Sequence, residues 1–573
     1  MLLASELIKT DNKFTLNGKF TFYSLLVGVV PCFFLGSVCA QSVPDAGKIQ
    51  RQVESEINGK KMAPLAPQKA PKPVDPIPEV QDTEVAVSAF SVLGNTLIDP
   101  QRIDAALAPY TNKLLSFDQL QAAALAIVAV YNEEGWLATA FFPEQEVIDG
   151  TVTIQVTEAI FGGVSVEGKA SARIKSDRLV ERINLRQTVG QPLSSEKIDR
   201  ALLLINDLSG VVVTGNLQKG QNERETQLIL AAEDGPFIAG SINNSNSGSK
   251  ATGPEDWTTT IAINSPLGLG DSLTTTFMQS PGVRFNSLSY AIPVGHNGGR
   301  LTLSGSNTGY KLIGADYDSL ASSGETDAAS VAWTFPIVRT QDKNLYFNWA
   351  FSDKHLNNYA VGATTSQYEV YQSTIGFNGN FSDNFLLGGA NSATLTATFG
   401  NINLGGYNSS EDSTVEGSFS KLYYLFSRQT PITANATANL EISGQVSKNI
   451  LDSSEKTSMG GSSAIRAFPA GEGSGDKGTV IKFELKNRFS AASTLAVFRE
   501  WGTAVTLVDG AHYNFQGIGA YWSGQPFPEL PNFSLTATLS SRIGENQNAT
   551  SAGKDQDGSL VLDRYWLSAT LAF

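Results

Sequence analysis

The sequence predicts an all-β transmembrane barrel of about 16 antiparallel strands, preceded by two small α+β modules and an N-terminal helix. Helical periodicity is absent after Phe237, where apolar residues alternate with small polar ones instead. In "NLYFNWAF", for example, Phe347 and Trp349 share one strand face while Asn348 takes the other. Segments of about ten residues with one apolar and one polar face are typical of strands with lipid outside and water inside.

The number of strands follows from the length of this region. Residues 237–573, at roughly 20 residues per strand and connection, give about 16 strands, an even number as in bacterial barrels. A soluble β-sandwich alternates in the same way and is the alternative. It is disfavoured by a secretory leader, by the absence of cysteine after Cys39, and by a C-terminal strand with an apolar face that includes Tyr565 and Phe573.

Composition and charge exclude one large class of partners. The formal net charge is −14, and no stretch of the chain forms a basic stripe. Nucleic-acid binding depends on clustered Lys and Arg that release counterions from phosphates, so we expect no nucleic-acid partner. The mean hydropathy of −0.09 is low for a membrane protein, and the polar inner face of a barrel accounts for it.

The first 40 residues (1–40) are predicted to be a secretory signal peptide. Three lysines precede the apolar run Phe20–Leu35, and the residues Val38–Ala40 stand where a signal peptidase would cut. An uncleaved membrane anchor is the alternative, although a spanning helix needs about 20 apolar residues. Cys32 and Cys39 both lie in this segment, so the mature chain would contain no cysteine for a disulfide, a thiolate metal site or thiol catalysis.

Residues 41–62 are predicted to contain a short helix, and residues 63–85 a spacer. Ile49, Val53 and Ile57 recur every four residues, which places them on one face of a weakly amphipathic helix. The prolines that follow favour an extended polyproline segment that packs neither as a helix nor as a central strand. We therefore expect the helix to be tethered rather than docked by a tight turn.

Two tandem modules, residues 86–160 and 161–235, mix strands with helices. In the first, "FDQLQAAALAIVAVYNEEGW" predicts a helix that ends near Gly135, and "TVTIQVTEAI" predicts a strand. The second module repeats this order, and its helical pattern "SSEKIDRALLLINDLSG" ends at Gly210. Residues 236–573 then form the predicted barrel.

A glycine pattern in the barrel region raises the possibility of a cofactor. Residues 473–478, "GSGDKG", match G-x-G-x-x-G, but a dinucleotide site needs a helix after the glycines and an alternating strand follows here. We therefore expect no cofactor. His296, His355 and His512 are scattered without a paired carboxylate, and we interpret them as turn or lumen residues. Residues 555–558 lack the downstream glutamate of a calcium loop and are interpreted as a hairpin turn, so we find no catalytic and no metal site.

Arg466 lies in a loop-like segment of the barrel region. Its guanidinium stays charged, and a basic side chain that faces lipid at mid-membrane costs about 2–4 kcal/mol. We therefore expect Arg466 to face the lumen and a carboxylate, with a solvated loop outside the membrane as the alternative. An acid pair is one interpretation of the nearby Glu472 and Asp476; we adopt the other, that both are solvated loop residues, because it needs no further assumption.

The residues around Arg466 resemble the motif of a known family, the outer-membrane transporters of two-partner secretion, which are the haemolysin and filamentous-haemagglutinin secretion/activation proteins. The family carries Gly-Gly, then (V/I)-R-G-(Y/F), then G-D-x-G, and the matching segments here are Gly460-Gly461, Ile465-Arg466-Ala467-Phe468 and Gly475-Asp476-Lys477-Gly478. The resemblance implies that Ile465, Arg466, Ala467 and Phe468 lie on a loop that folds back into the lumen from outside. It also implies that Arg466 pairs with the acid of a later F-x-D-x-G motif, here Glu500 in Phe498–Gly502.

Two residues depart from the family pattern. Ala467 replaces the tetrad glycine, which matters for any tight turn that needs a positive φ. Glu500 replaces the aspartate, and its longer side chain shifts the expected position of the arginine.

The resemblance extends over the chain after the leader. Gly94-Asn95-Thr96 and Tyr131 match the family's first periplasmic transport-associated (POTRA) module, and Leu204–Gly210 matches the second. Asn264–Leu273 matches the first barrel hairpin, and Phe335–Arg339 matches a recurring strand motif. The leading helix and the proline-rich segment match the family's plug helix and linker.

The resemblance implies an outer-membrane translocator that exports a large unfolded exoprotein, similar to an adhesin or a haemolysin, from the periplasm to the cell surface. The modules would capture this client, and addition of a client strand to an exposed sheet edge suits an extended chain. The helix at 41–62 would plug the pore, and the Arg466 loop would act in the lumen. The alternatives are a factor that assembles other outer-membrane barrels, and a passive porin or barrel-borne adhesin.

The expected partners are the secreted client, outer-membrane lipid and the barrel-assembly machinery. The C-terminal strand, marked by Tyr565 and Phe573, would be the signal that this machinery recognises. We expect a monomeric barrel in the outer membrane, modules in the periplasm, and no enzymatic activity.

Overall fold

The computed structural model describes residues 43–58, 84–167, 173–314, 317–406 and 414–573. The predicted signal peptide (1–40) and most of the predicted linker (63–85) lie outside the described residues. Within the described ranges, no helix combines the length and the apolar character needed to cross a membrane.

The helices and strands occur in the following order. The α-helices are α1 Ala46–Asn58, α2 Pro100–Leu107, α3 Phe117–Glu133, α4 Ser176–Asn184 and α5 Ser195–Asn206. The strands of the modules are β1 Val85–Val87, β2 Ala89–Leu93, β3 Lys113–Leu115, β4 Ala138–Phe141, β5 Thr151–Glu158, β6 Ile160–Glu167, β7 Val211–Lys219 and β8 Glu225–Asp234. The strands of the barrel are β9 Ile238–Ser245, β10 Asp256–Asn264, β11 Ser272–Gln279, β12 Val283–Val294, β13 Gly299–Lys311, β14 Ser323–Arg339, β15 Lys343–Ala360, β16 Ala363–Asp383, β17 Gly389–Leu404, β18 Gly417–Pro431, β19 Ala436–Ser447, β20 Lys477–Ser490, β21 Ser493–Val505, β22 His512–Gly524, β23 Phe533–Arg542 and β24 Asp563–Ala572.

The first module packs helices α2 and α3 on a three-stranded sheet. The sheet has the order β2-β5-β4, with β2 parallel and β4 antiparallel to β5. Helix α3 begins with a capping box, in which the Ser116 side chain accepts a hydrogen bond from Gln119 N. Ile127 and Tyr131 on its inner face are fully buried, and burial of such side chains contributes about 1.5–3 kcal/mol each. The module therefore has a core of its own.

The second module has the sheet order β6-β8-β7, with helices α4 and α5. Only Ala159 separates the last strand of the first module from the first strand of the second. Ala159 N donates to Leu137 O at 2.9 Å, and Leu137 N donates to Leu193 O at 3.1 Å. These backbone bonds fix the two modules against each other.

Among the described residues, β9 to β24 form a closed barrel of sixteen antiparallel strands, in which β24 pairs with β9. The predicted fold class is thereby confirmed, including the N-terminal helix and the two α+β modules. The alternation of side chains follows the sequence pattern. The ring of Phe347 meets that of Phe377 at 5.6 Å on the outer face, whereas the neighbouring Asn348 hydrogen-bonds to Asn378 on the inner face.

The chain enters the barrel from the second module, which defines a module end and an opposite end. Because every strand is antiparallel to the next, the connections alternate between the two ends. The two longest described connections both lie at the opposite end. We call them the lumen loop (448–476), between β19 and β20, and the C-terminal hairpin loop (543–562), between β23 and β24.

Candidate functional site in the barrel lumen

The lumen loop folds inward and packs on the inner faces of β20 to β24. Its turns depend on glycine: a Cβ at Gly460 would lie 2.2 Å from Pro469 O, and Gly461 has a φ of +123°. The tip of the loop, residues 465–468, is buried, and even Arg466 is only 9% exposed. The loop tip is therefore a packed part of the barrel interior.

Arg466 lies between two carboxylates on neighbouring strands. Its Nε is 2.7 Å from Glu500 Oε1, and its Nη2 is 2.7 Å from Glu484 Oε1. The backbone N of Arg466 donates to the other oxygen of Glu500 at 2.7 Å. Lys486 Nζ lies 3.1 Å from Glu484 Oε2, so two cations and two carboxylates alternate in one chain of contacts. This pairing compensates the cost of removing the guanidinium from water.

Aromatic and hydroxyl groups enclose the same arginine. The carbon at the centre of the guanidinium lies 3.5 Å from the centroid of the Phe498 ring, a cation–π arrangement. Arg466 O accepts hydrogen bonds from Ser540 Oγ at 2.7 Å and from Trp566 Nε1 at 2.8 Å. The loop tip is thus joined to β20 and β21 on one side and to β23 and β24 on the other.

The other tip residues fill apolar spaces. Ile465, Ala467 and Phe468 are fully buried. Ala467 is not among the residues with positive φ, so alanine is accommodated here without strain. Its Cβ lies against Gly517, where an added Cβ would come within 2.9 Å of it. The Phe468 ring meets Phe515 edge-on, with centroids 4.7 Å apart.

The two loop acids are buried, so the interpretation of Glu472 and Asp476 as solvated residues is wrong. Asp476 accepts hydrogen bonds from Leu451 N at 2.7 Å and Leu507 N at 2.6 Å, which fasten the base of the lumen loop. Glu472 accepts three hydrogen bonds of 2.9–3.1 Å from the C-terminal hairpin loop (543–562). A buried carboxylate is stable only when such donors replace water, and the two loops are joined as a result.

Helix α1 also lies in the lumen, against the inner faces of β13, β14 and β15. Ile49 and Val53 are each 2% exposed and belong to one apolar cluster with barrel side chains, against which Ile57 also packs. The three residues that the sequence places on one helical face are therefore the face that meets the barrel. Ala46 N donates to Asn358 Oδ1 at 2.7 Å, which satisfies one of the free N–H groups at the start of the helix.

A lysine of the barrel wall contacts both the helix and the lumen loop. Lys354 Nζ, on β15, lies 3.2 Å from Glu54 Oε1 of helix α1 and 3.4 Å from Glu455 Oε1 of the loop. Glu455 is also 2.6 Å from Lys421 Nζ on β18. Because helix and loop share Lys354, displacement of either one changes the electrostatic balance of the other.

The second module is held against the module end of the barrel by contacts that involve two family-motif segments, Leu204–Gly210 and Phe335–Arg339. Arg339 makes a two-point contact with Asp207, with Nε to Oδ2 at 2.9 Å and Nη2 to Oδ1 at 2.8 Å. Arg300 Nη2 donates to Asp207 O at 3.0 Å, and Arg200 Nη2 donates to Pro336 O at 3.0 Å.

In the first module, the motif residues Thr96 and Tyr131 both contact one carboxylate at the end of β5, that of Glu158. Glu158 Oε1 accepts hydrogen bonds from Thr96 N at 2.6 Å, Leu97 N at 2.9 Å and the Tyr131 hydroxyl at 2.9 Å. Burial alone would raise the pKa of Glu158, but these hydrogen bonds outweigh it and hold the pKa below its ordinary value. Burial, together with the bond to Glu158, raises the pKa of Tyr131.

The remaining sequence candidates are the glycine pattern, the histidines and residues 555–558. Residues 473–478 comprise the end of the lumen loop and the first two residues of β20, so a strand and not a helix follows the glycines. His355 lies 3.3 Å from both Asp353 and Glu369, so the expectation that no histidine has a neighbouring carboxylate is wrong for this one. Residues 555–558 form a turn in the C-terminal hairpin loop. The described ranges contain no group of three side chains placed to hold a metal ion.

The C-terminal residues lie where the barrel closes. Tyr565 is exposed on the outer face of β24. Phe573 follows β24 directly, and its N donates to Gly240 O on β9 at 3.0 Å. Their role as an assembly signal stays a prediction.

The sequence reasoning missed the polar contacts of Arg466 with Glu484, Ser540 and Trp566. Glu484 carried a usable signal, because alternation along β20 places it on the polar inner face together with Lys482 and Lys486. Trp566 also carried a usable signal, because alternation along β24 places this aromatic side chain on the inner face of the strand, opposite the apolar outer face. Ser540 has no feature that distinguishes it from the other small polar residues of barrel strands.

Comparison with known proteins identifies two matching family models. Residues 224–507 match the family described as haemolysin secretion/activation protein ShlB/FhaC/HecB. Residues 85–159 match the POTRA domain, ShlB-type.

Individual relatives and solved structures agree with these matches. The heme/hemopexin transporter protein HuxB of Haemophilus influenzae (strain 86-028NP) is 25% identical over 516 residues, covering 87% of this chain and 88% of the relative. The outer membrane transporter CdiB of Escherichia coli is 23% identical over 543 residues, covering 90% and 88%. The solved structure of CdiB from Escherichia coli superimposes with a TM-score of 0.67 at 20% identity, covering 94% of this chain and 100% of that one, and so supports the fold. A structure of BamA from Haemophilus ducreyi lacking POTRA domains 1–3 gives a TM-score of 0.53 at 15% identity, covering 85% and 100%.

Proposed function

The chain belongs to the haemolysin secretion/activation protein family of outer-membrane transporters, and we propose that its lumen loop and helix α1 together control the passage of a large unfolded exoprotein. The modules of this outer-membrane transporter lie in the periplasm, so the lumen loop enters the barrel from the cell surface. The observation that carries the proposal is Lys354, which contacts both Glu54 of the helix and Glu455 of the loop. A client that displaces the helix therefore also disturbs the loop.

Capture of the client is assigned to the periplasmic modules. Strands β2 and β7 are edges of their sheets, and β7 carries the exposed side chains Val212 and Leu217. An edge strand offers unpaired N–H and C=O groups to an extended chain. This mode of binding depends little on client sequence, which suits a chain that arrives unfolded.

Helix α1 is assigned the role of a plug. It occupies the space that a client would need, and its removal exposes Ile49 and Val53 at a cost of about 1.5–3 kcal/mol each. That cost is small enough for a bound client to overcome. After the helix leaves, Lys354 remains in the lumen and is still paired with Glu455 of the lumen loop.

The Arg466 tip is assigned the role of a lumen support that positions the last strands for transport. It contacts β20, β21, β23 and β24 at once. We infer no enzymatic activity for this chain, since the family's members are transporters. The client would be a secreted protein of the adhesin or haemolysin type.

The test compares secretion from a host that lacks this protein with secretion after complementation. Wild type, Arg466→Ala and Arg428→Ala would be expressed in the deletion host, and the proteins of the medium compared. Arg428 is the matched control, because it also pairs with a barrel carboxylate, Asp383 at 2.6 Å, but does so away from the loop. Heat-modifiable gel mobility would show that each barrel is assembled.

The expected result is the loss of one large exoprotein in the deletion host and its recovery with wild type and Arg428→Ala only. Normal secretion by an assembled Arg466→Ala variant would overturn the role of the loop. Loss of other outer-membrane barrels in the deletion host would instead favour a barrel-assembly factor.

A further inference from the structure

A groove on the outer surface of the barrel, separate from the lumen, combines an apolar lining with an arginine. It has a volume of about 780 Å³ and crosses strands β20 to β24. Its apolar lining consists of Phe483, Leu485, Val497, Ile518, Leu539 and Tyr565. In the strand register, the small residue Ala520 lies between Val497 and Leu539, and the lack of a large side chain there opens the groove.

Arg499 is the cation of this groove. Its neighbours Phe498 and Glu500 are buried on the lumen side, so alternation directs Arg499 outward. Its contacts among the described residues are with Gln516, whose Oε1 accepts from Nη2 at 2.8 Å, and with the ring of Trp501 at 5.3 Å. Neither contact is a carboxylate, so the positive charge is not neutralised by a described partner. The remaining N–H groups of the planar guanidinium are free for a planar or tetrahedral anion.

The level of Arg499 on the barrel is given by its neighbours in the register. Arg499 pairs with Ile518, Ile518 with Ser541, and Ser541 with Asp563. Toward the cell-surface end, the outward residues of β22 are polar, as at Gln516, whereas β20 and β21 each carry one more apolar residue, Ile481 and Trp501. Toward the module end the outward residues of these strands are apolar. The row that contains Arg499 therefore lies close to the upper boundary of the apolar band, within one outward residue of it on β20 and β21, where an arginine is less costly than at mid-membrane.

We propose that this groove binds a phosphorylated, multiply acylated glycolipid of the outer leaflet, with a phosphate on Arg499 and acyl chains along the apolar lining. The groove is continuous with the lipid-facing surface, and its charge is opposite to that of a phosphate. A peptide is a poor occupant, because the groove lies on the face of paired strands and offers no free backbone groups.

The negative charge of Asp563, which also lines the groove, does not oppose the binding of a phosphate at Arg499. It lies three strands away from Arg499 in the same row, a separation of roughly 14 Å at the usual strand spacing. That distance is too long for an ion pair and leaves Arg499 available to the phosphate. Asp563 is free to accept hydrogen bonds from sugar hydroxyls instead.

The test uses purified protein and measures lipid retention by native mass spectrometry after incubation with bisphosphorylated lipid A or with phosphatidylglycerol. The variants are Arg499→Gln, Ala520→Leu and Arg284→Gln. Arg284 is the matched control, since it is exposed on β12 between the buried residues Val283 and Phe285, and so faces outward on a wall without the groove. Ala520→Leu fills the groove and leaves Arg499 unchanged, so it tests the site independently of any effect of the arginine on folding.

We expect lipid A retention to fall at least about tenfold in Arg499→Gln, the loss typical of a hydrogen bond to a charged group. Ala520→Leu should also lose retention, while Arg284→Gln should match wild type. Equal retention in all four proteins would overturn the site. Equal retention of phosphatidylglycerol and lipid A by wild type would overturn its assignment to a glycolipid. Neither result depends on secretion, so the proposed function is tested separately.

Discussion

Replacement of Glu500 by glutamine tests whether the buried charge pair holds the lumen loop in place. Glutamine keeps the shape of the side chain and one acceptor oxygen but removes the negative charge. Arg466 is then left with Glu484, which it shares with Lys486. Loss of one partner of a buried ion pair costs about 3–5 kcal/mol. Because Glu484 remains, we use the lower value, about 3 kcal/mol, which corresponds to roughly a 100-fold shift in the docking equilibrium of the tip.

The shift is measurable as the reactivity of a thiol at the tip. In a background with Cys32 and Cys39 replaced by serine, Ala467→Cys introduces a side chain at a fully buried position. A maleimide then reacts only when the tip undocks, so the labelling rate reports the undocked population. We expect the rate to rise by about 100-fold when Glu500→Gln is added. Ser463→Cys, exposed on the same loop, should be labelled at the same rate in both backgrounds.

Two results would refute the reasoning. Equal labelling of Ala467→Cys with and without Glu500→Gln would show that packing alone holds the tip. An equal acceleration by Asp383→Asn would show a general loosening of the barrel, because Asp383 pairs with Arg428 and does not contact the loop.

Three further predictions concern the helix and the modules. Glu54→Gln removes a partly buried partner of Lys354 and should shift helix α1 toward release by about 1 kcal/mol, or roughly fivefold in channel-opening frequency in planar bilayers. Arg339→Gln breaks the two-point contact with the second module and should broaden spin-label distances between module and barrel, at a cost of about 1 kcal/mol. Glu158→Gln should destabilise the first module by about 1.5–3 kcal/mol at neutral pH, seen as faster hydrogen exchange in helix α3. Since the folded pKa of Glu158 lies below its ordinary value, this difference is present above the ordinary pKa of glutamate and disappears as the pH falls through the folded pKa.

Each of these predictions has a control or a contrary outcome. Ser55→Ala should leave opening unchanged, because Ser55 is adjacent to Glu54 on helix α1 but is exposed. Arg102→Gln removes an exposed ion pair inside the first module and should not alter module–barrel distances. For Glu158, a difference between wild type and variant that persists in acid would mean that shape rather than charge supports the module.

The fold was predictable because its signals are local and repeated. Alternation in "NLYFNWAF" recurs on strand after strand, and the change from period 3.6 to period 2 near Phe237 marks where the modules end. The face of helix α1 was predictable for the same reason, since Ile49 and Val53 are four residues apart. Its location inside the barrel came only from the family resemblance, because no local pattern states what an apolar helix face will meet.

The candidate site was only partly predictable, because its contacts join residues distant in sequence. Arg466 and Glu500 were paired through a motif, whereas Trp566 is 100 residues from Arg466 and has no motif that links them. Burial of Glu472 was unpredictable in the same way. From the sequence alone, an acid in a glycine-rich loop is expected to be solvated. The hydrogen-bond donors that allow Glu472 to be buried belong to the facing loop, 74 to 84 residues further along the chain.

The glutamate at position 500 leads to a last prediction, since the family pattern has aspartate there. Glu500 reaches two donors of Arg466 at once, the backbone N and Nε, both at 2.7 Å. Aspartate is shorter by one methylene, about 1.5 Å, so it would keep one of these bonds and lose the other unless the loop moved toward β21. Such a movement would press Ala467 against Gly517, where the space is already filled. We therefore expect Glu500→Asp to reduce secretion, Ala467→Gly alone to be nearly neutral, and the double variant to recover, because glycine releases the space that the loop needs. A cycle of these three variants, measured as secreted client, gives the coupling between the two positions directly. Additive effects would show that the two departures from the family pattern are independent of each other.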